Sequence, residues 1–385
     1  MNNVQEINVR LPDIIGLKGM CAFTVILGHF TLAFFPSIGE GKPLITNTNV
    51  INYISDTPLY SLFNGAFAVY VFWMVSAMLI TYRYNKMDFS SIIMLKKIFR
   101  RYMGFLLPLL MPNIYIYIYI CMRMGMMWNN EVATITESVW LDSFYKFSPN
   151  IFDAIKEVVW DTWFSGNVPY NMVLWSMKIE FIGTSCLTMF LIVKDKIPQG
   201  IRYLLIFFCG VYFAFLGEFP YLTMILGYIL GSIFSNKSIK CPLYFQIVGI
   251  VLVILCAGYP SGYYPEYGMY AIDILPKTIV RGYMYCIGAC VIVAICMLEN
   301  NILHRLLSYD IFMKLGRVSL EVYVWQLPVL CTIISGLFYK ANMLISKYAI
   351  VATLVILIGI LLVYIVAEGM HYVTEKYWRP LCNKI

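Results

Sequence analysis

The sequence predicts an all-α polytopic transmembrane bundle of about ten helices, and three observations lead there. Of 385 residues, 61% are hydrophobic and only 13% are charged, with a mean hydropathy of +0.74. A soluble domain carries roughly a quarter charged residues to wet its surface, so hydrocarbon must solvate most of this one. Ten apolar stretches approach or reach the roughly 20 residues that a helix needs to cross a core of about 30 Å. Finally, Lys and Arg gather in alternate connections, the bias that orients helices in a membrane.

The predicted spans run Ile14 to Phe35, Leu59 to Tyr82, Tyr102 to Cys121, Val173 to Val193 and Ile201 to Leu216. They continue Pro220 to Phe234, Leu243 to Tyr259, Ile279 to Leu298, Met313 to Phe338 and Leu344 to Ala367. The fifth and sixth are short and meet at a tight Gly217-Glu218-Phe219-Pro220 turn. The first stretch has no small-residue cleavage site and many apolar stretches follow it, so it is expected to stay as a helix. Arg83, Lys86, Lys96, Lys97, Arg100 and Arg101 crowd the second connection, and Lys194, Lys196 and Arg202 mark the fourth. Lys237 and Lys240 mark the sixth; Arg305, Lys314 and Arg317 mark the eighth. The intervening connections are poor in base or acidic, which places both termini in the cytoplasm. One integral-membrane domain over 1–385 is expected, with 122–172 as a long extracytoplasmic loop and no appended soluble module. The 11 cysteines fall in spans or on the cytoplasmic side and predict no disulfide framework.

Two outward segments are rich in aromatic residues: Arg123 to Tyr170, and Gly258 to Lys277, which reads GYPSGYYPEYGMYAIDILPK. Aromatic faces beside polar groups suit sugar rings, and they equally suit the interfacial belt of a membrane protein.

Ionisable groups inside a bilayer cost several kcal/mol, so each is a candidate for function. Here they are Lys18, His29, Glu180, Arg281 and Glu321, with polar Gln326 beside them. Of three histidines, only His29 is predicted to lie within the membrane. It sits about 22 Å from the inner boundary, and Glu180 about 10 Å below the outer one, counting 1.5 Å per residue. The two reach nearly the same level, where they form either a base with its orienting partner or two separate structural contacts. Lys18 and His29 lie about three turns apart on one helix face. Snorkelling to the inner headgroups would account for Lys18 as well.

These residues resemble the family-3 membrane acyltransferases, which O-acylate bacterial surface glycans. LPDIIGLKGMCAFTVILGHF is similar to that family's opening helix, with Lys18 at its Arg position and His29 at its His position. VFWMVSAMLI matches its Phe-Phe-x-x-Ser-Gly segment, with Ser76 kept and Ala77 for Gly. KKIFRRY resembles its Arg-x-x-Arg patch, and LWSMKIEF its Leu-Trp-Ser-x-x-x-Glu, with Trp175, Ser176 and Glu180 matching. LGRVSLEVYVWQLPV resembles its Gly-x-x-Ser-x-x-x-Tyr-x-x-His-x-Pro, with Gln326 for His. Five segments in register cover most of the chain.

The resemblance implies a multi-pass protein of the bacterial cytoplasmic membrane that moves an acyl group, acetyl in the first instance, from acyl-CoA to an extracytoplasmic glycan hydroxyl. O-antigen, capsule and exopolysaccharide all qualify as acceptor. Lys18, Lys97, Arg100 and Arg101 are expected to hold the CoA phosphates. His29 is the expected base and Glu180 its orienting partner. Trp175 and Arg281 are the expected acceptor-binding residues. Lys for Arg at position 18 keeps the charge but loses the bidentate fork. Gln326 cannot exchange protons and is given no acid–base role, and Ser76 is taken as a packing residue. One embedded His with one Glu falls short of a metal site, and neither metal nor nucleic acid is an expected partner. The alternatives are a lipid-linked glycan flippase or transporter and a glycan polymerase.

Overall fold

A computed structural model describes residues 12–40, 54–55, 57–87, 89–265 and 268–384. Glu266 and Tyr267 of the tyrosine-rich segment lie outside the described residues. Among the described residues the chain forms helices and turns and no strand. In hydrocarbon each backbone N–H and C=O must be paired internally, which an α-helix achieves alone. The spans are α1 (Pro12–Phe34), α2 (Gly65–Lys86), α3 (Ser91–Met122), α4 (Trp175–Val193), α5 (Gln199–Leu216), α6 (Phe219–Asn236), α7 (Leu243–Ala257), α8 (Lys277–Cys296), α9 (Ser319–Val329) and α10 (Tyr348–Val373). A π-helical turn at Leu330–Ile334 carries α9 on into Ser335–Leu344. Nine of these helices, α7 excepted, are long and apolar enough to cross a membrane, and α7 has only 15 residues. The fifth and sixth spans, short by sequence, each form a helix of 18 residues. Gly217, at φ +74°, makes the sharp turn between them in a backbone conformation that a side chain would strain.

Among the boundaries that differ from the sequence prediction, three bear on the packing. Helix α2 starts six residues late because Asn64 caps it: its Oδ1 accepts from Phe67 N–H at 3.0 Å. The same side chain donates to the Ala257 and Tyr259 carbonyls at 2.7 and 2.9 Å, tying this end to α7. Helix α3 starts at Ser91, not Tyr102, so the basic run lies on the helix itself instead of in a connection. The predicted ninth span is split. Asp310–Arg317 forms a separate helix against the start of α1, packed so closely that a Cβ on Gly316 would meet Ile15 O at 1.9 Å. Small residues also set the α2–α6 contact. A Cβ on Gly227 or Gly231 would fall within 2.6 Å of the Met74 or Met78 carbonyl, the close approach that Gly-x-x-x-Gly permits.

The long segment between α3 and α4 is packed, not loose. Phe144, Trp163 and Tyr170 are buried, which removes them from both the belt and a sugar face. Glu157 is its clamp. The carboxylate accepts from Asn113 Nδ2 of α3 at 2.9 Å and from the Tyr170 and Asn171 N–H groups at 2.8 and 3.0 Å. Burial pushes this carboxyl up to about 7, against the hydrogen bonds that favour its charged form. Asn171 donates in turn to Val324 O of α9 at 2.8 Å, fixing the segment over the site described next.

Candidate functional site

His29 projects from α1 into a cavity of about 150 Å³, which it lines with Trp140, Trp175 and Tyr323. Its Nδ1 lies 3.1 Å from Gln326 Oε1 of α9. The Gln326 amide nitrogen donates to Tyr323 O at 3.0 Å, so its oxygen is the end that faces the ring. An amide oxygen only accepts, so Nδ1 carries the proton and Nε2 presents its lone pair to the cavity. Trp140, from the helix Val139–Asp142, stacks on the imidazole at 5.2 Å and 20°.

Here the sequence expectation needs correction: His29 and Glu180 do not bond to each other. Glu180 of α4 forms an ion pair with Arg101 of α3, and the orienting partner of His29 is Gln326. A carboxylate gains more from a guanidinium than from a neutral imidazole, and the α3–α4 packing supplies the guanidinium. Similar depth in the bilayer did not make the two neighbours.

At the basic end lies a larger cavity of about 560 Å³. The four expected donor-binding residues, Lys18, Lys97, Arg100 and Arg101, all line it, joined by Arg83 and Arg379. The Nε atoms of Arg100 and Arg101 are buried without a hydrogen-bond partner, as is Glu180 Oε2. Unpaired buried donors among so many cations fit an anionic ligand such as a phosphate. Glu321, the embedded acid of α9, also lines this cavity and accepts from His371 Nδ1 at 3.0 Å. Arg379 is held by Glu375 at 3.0 Å, and Trp378 Nε1 donates to Met103 O at 2.8 Å, docking the C-terminal helical turns on α3.

A third cavity, of about 160 Å³, lies between the other two. It shares Lys18, Ser76, Arg101, Phe105 and Leu320 with the basic cavity, and Val69 and Tyr323 with the His29 cavity. Glu180 lines only this middle one of the three. The three cavities thus adjoin in series from the cations to the imidazole, with Tyr323 at the last step. Tyr323 is held there by bonds from its hydroxyl to Val173 O at 2.7 Å and Ser176 Oγ at 2.8 Å. Trp175 lies edge-on to Trp73 at 5.8 Å and is 47% exposed, open to a ligand in the His29 cavity. Arg281 stands behind that cavity. Its guanidinium donates to Ser261 O and Tyr264 Oη, both at 2.7 Å, and Ser261 lines the cavity. It braces the wall.

Sequence reasoning missed Gln326, Trp140, Tyr323, Arg83 and Arg379 as site residues. Gln326 and Tyr323 stand inside a recognised segment, and Trp140 in a loop noted for its tryptophans, so each left a signal. Arg379 left none, because only folding returns the chain end to α3. A family model described as an acyltransferase domain matches residues 11–368, nearly the whole chain. No curated protein and no solved structure matches it.

Proposed function

From the premise that this chain belongs to the family 3 acyltransferases, we propose that it moves an acetyl group from acetyl-CoA at its basic end to a hydroxyl of an extracytoplasmic glycan at the His29 cavity. The observation that carries the proposal is the series of adjoining cavities, cationic at one end and holding an oriented imidazole at the other. The Lys and Arg distribution favours a cytoplasmic basic end, where acyl-CoA is found, in a bacterial cytoplasmic membrane. O-antigen, capsule and exopolysaccharide present hydroxyls on the other side.

Lys18, Lys97, Arg100 and Arg101, with Arg83 and Arg379, hold the phosphates of the donor. The donor supplies an activated thioester carbonyl and a thiolate leaving group. The Nε2 lone pair of His29 takes the proton of the acceptor hydroxyl as its oxygen attacks that carbonyl. The imidazolium then returns the proton to the departing sulfur, leaving the residue as it began. Gln326 keeps Nδ1–H directed at its carbonyl, so Nε2 is always the basic atom, the tautomer-fixing function that a carboxylate serves in other hydrolases and transferases. Glu180 acts at one remove by fixing Arg101 beside the middle cavity. Trp175 offers its exposed face to the sugar.

Gln326 is thus a positioning residue. Gln326→Leu is expected to lower kcat by roughly 10-fold, the value of one hydrogen bond of about 1.5 kcal/mol, with the KM for acetyl-CoA unchanged. Gln326→Glu, which keeps an acceptor opposite Nδ1, is expected to retain most activity. Equal loss in both variants would detach Gln326 from the imidazole.

The function itself is tested by mass analysis of the surface glycan with and without this chain, beside inverted vesicles given labelled acetyl-CoA. Loss of an acetyl-sized increment at unchanged glycan length, with label appearing in the glycan, is expected. Shortened glycan would point to a polymerase instead, and accumulated lipid-linked unit to a flippase.

A further inference from the structure

Two cavities outside this path form one continuous feature. A polar cavity of about 540 Å³ opens between α2, the α4–α5 connection, α5 and α6, lined by Asn85, Lys194, Asp195, Arg202 and Tyr203 among others. It runs into an apolar groove of about 800 Å³ between α5 and α6, and Tyr203, Tyr228, Ser232 and Asn236 line both. Phe89 lines the polar cavity and the donor cavity alike, which puts the feature at the basic end of the bundle.

Its polar part is built for an anion. Lys194 is only 8% exposed; its ammonium donates to Asn85 Oδ1 and lies 4.7 Å over the Tyr84 ring, both neutral partners. Arg202 has Asp195 at a long 3.6 Å, and that carboxylate is 66% exposed while Arg202 is 21% exposed. Lys237, itself exposed, lines the adjoining groove. Two cations, Lys194 and Arg202, therefore share one carboxylate that water largely solvates. A buried ammonium served only by a carboxylate that it shares with Arg202 and that water solvates is costly, so an anionic occupant supplies what the protein lacks. A free anion would leave the groove unexplained. The groove is lined by Ile206, Phe207, Val211, Leu222 and Ile229, and α5 buries no residue of its own. A polar, cationic head space continuous with an apolar channel has the form of a phospholipid.

We infer that this cleft binds an anionic phospholipid from the leaflet at the basic end, with its phosphate between Lys194 and Arg202 and one acyl chain along the α5–α6 groove. Basic pockets between spans recognise anionic headgroups by this chemistry. The lipid lies next to the donor cavity, where the Lys97 ammonium sits 3.2 Å over the shared Phe89 ring.

The test uses the full chain purified in a neutral detergent. Its thermal midpoint is followed against added phosphatidylglycerol, phosphatidylcholine of the same acyl chains, or inorganic phosphate. Phosphatidylglycerol is expected to raise the midpoint more than phosphatidylcholine does, and inorganic phosphate is expected to leave it unmoved. Lys194→Gln with Arg202→Gln is expected to weaken phosphatidylglycerol binding by roughly 30-fold, about five-fold per charge. Lys196→Gln, at an exposed position outside the cavity, is expected to change nothing. Gly210→Trp fills the groove and leaves the cations in place. A Cβ there meets only Leu222 Cδ1, at 3.9 Å, so the variant keeps the backbone and is expected to lose the lipid effect too. Equal response to both lipids would overturn the proposal, as would a preference that survives both the charge and the groove variants. Stabilisation by inorganic phosphate alone would reduce the site to an anion pocket.

Discussion

Replacing His29 with alanine is expected to lower acyl transfer by about 10²–10⁴-fold, the range a positioned general base contributes. The loss should fall on kcat, because the ring stands at the end of the cavity series farthest from the cations that hold the donor. The fold should survive. The His29 ring is held by a hydrogen bond to Gln326 and by stacking on Trp140; its loss leaves the Gln326 amide oxygen unpaired, at a cost of about 1–3 kcal/mol. Transfer from labelled acetyl-CoA, with the thermal midpoint of the same preparation as control, decides the matter. A well-folded His29→Ala protein with full activity would remove the imidazole from the mechanism.

The second large effect concerns the Arg101–Glu180 ion pair at the middle cavity. Glu180→Gln and Arg101→Gln should each destabilise the bundle, since either leaves a charge without its counterpart in a partly buried setting. Loss of half a fully buried pair costs about 3–5 kcal/mol. The cost here is lower, because the Arg101 side chain is 27% exposed and that of Glu180 is 12% exposed. The double variant should regain most of the lost stability, with a coupling of about 0.5–3 kcal/mol. It should not regain donor affinity. Arg101 is a lining cation of the donor cavity, and losing one charge-assisted contact is expected to raise the KM for acetyl-CoA by roughly 10- to 100-fold in both the single and double variants. Additive stability losses would break the pair. A normal KM in the double variant would move the phosphate contact elsewhere.

The cysteines and histidines outside the site show how far local rules reached. His304 and His371, which the sequence puts on the cytoplasmic side of the spans, each join a carboxylate: His304 Nδ1 meets Asp13 Oδ1 at 2.7 Å, and His371 meets Glu321. All 11 cysteines are free. The Glu321 partnership was not legible, because its histidine lies fifty residues away in the chain.

The sequence by itself determined that this chain is a helical bundle for a lipid solvent, roughly where its spans run, which end is basic, and that a lone histidine belongs to the first span. Hydrophobic run length, charge bias and depth along a helix are all local quantities, summed from neighbouring residues. Only the tertiary structure decided which faces meet. It turned Glu180 toward Arg101, brought Gln326 to His29, folded the chain end back to set Arg379 beside Lys18, and laid Trp140 over the imidazole. The azimuth of each helix follows from close packing at small residues such as Gly227, Gly231 and Gly316, and from loops clamped by Asn64 and Glu157. No single span carries that information, since a contact between helices belongs to both at once.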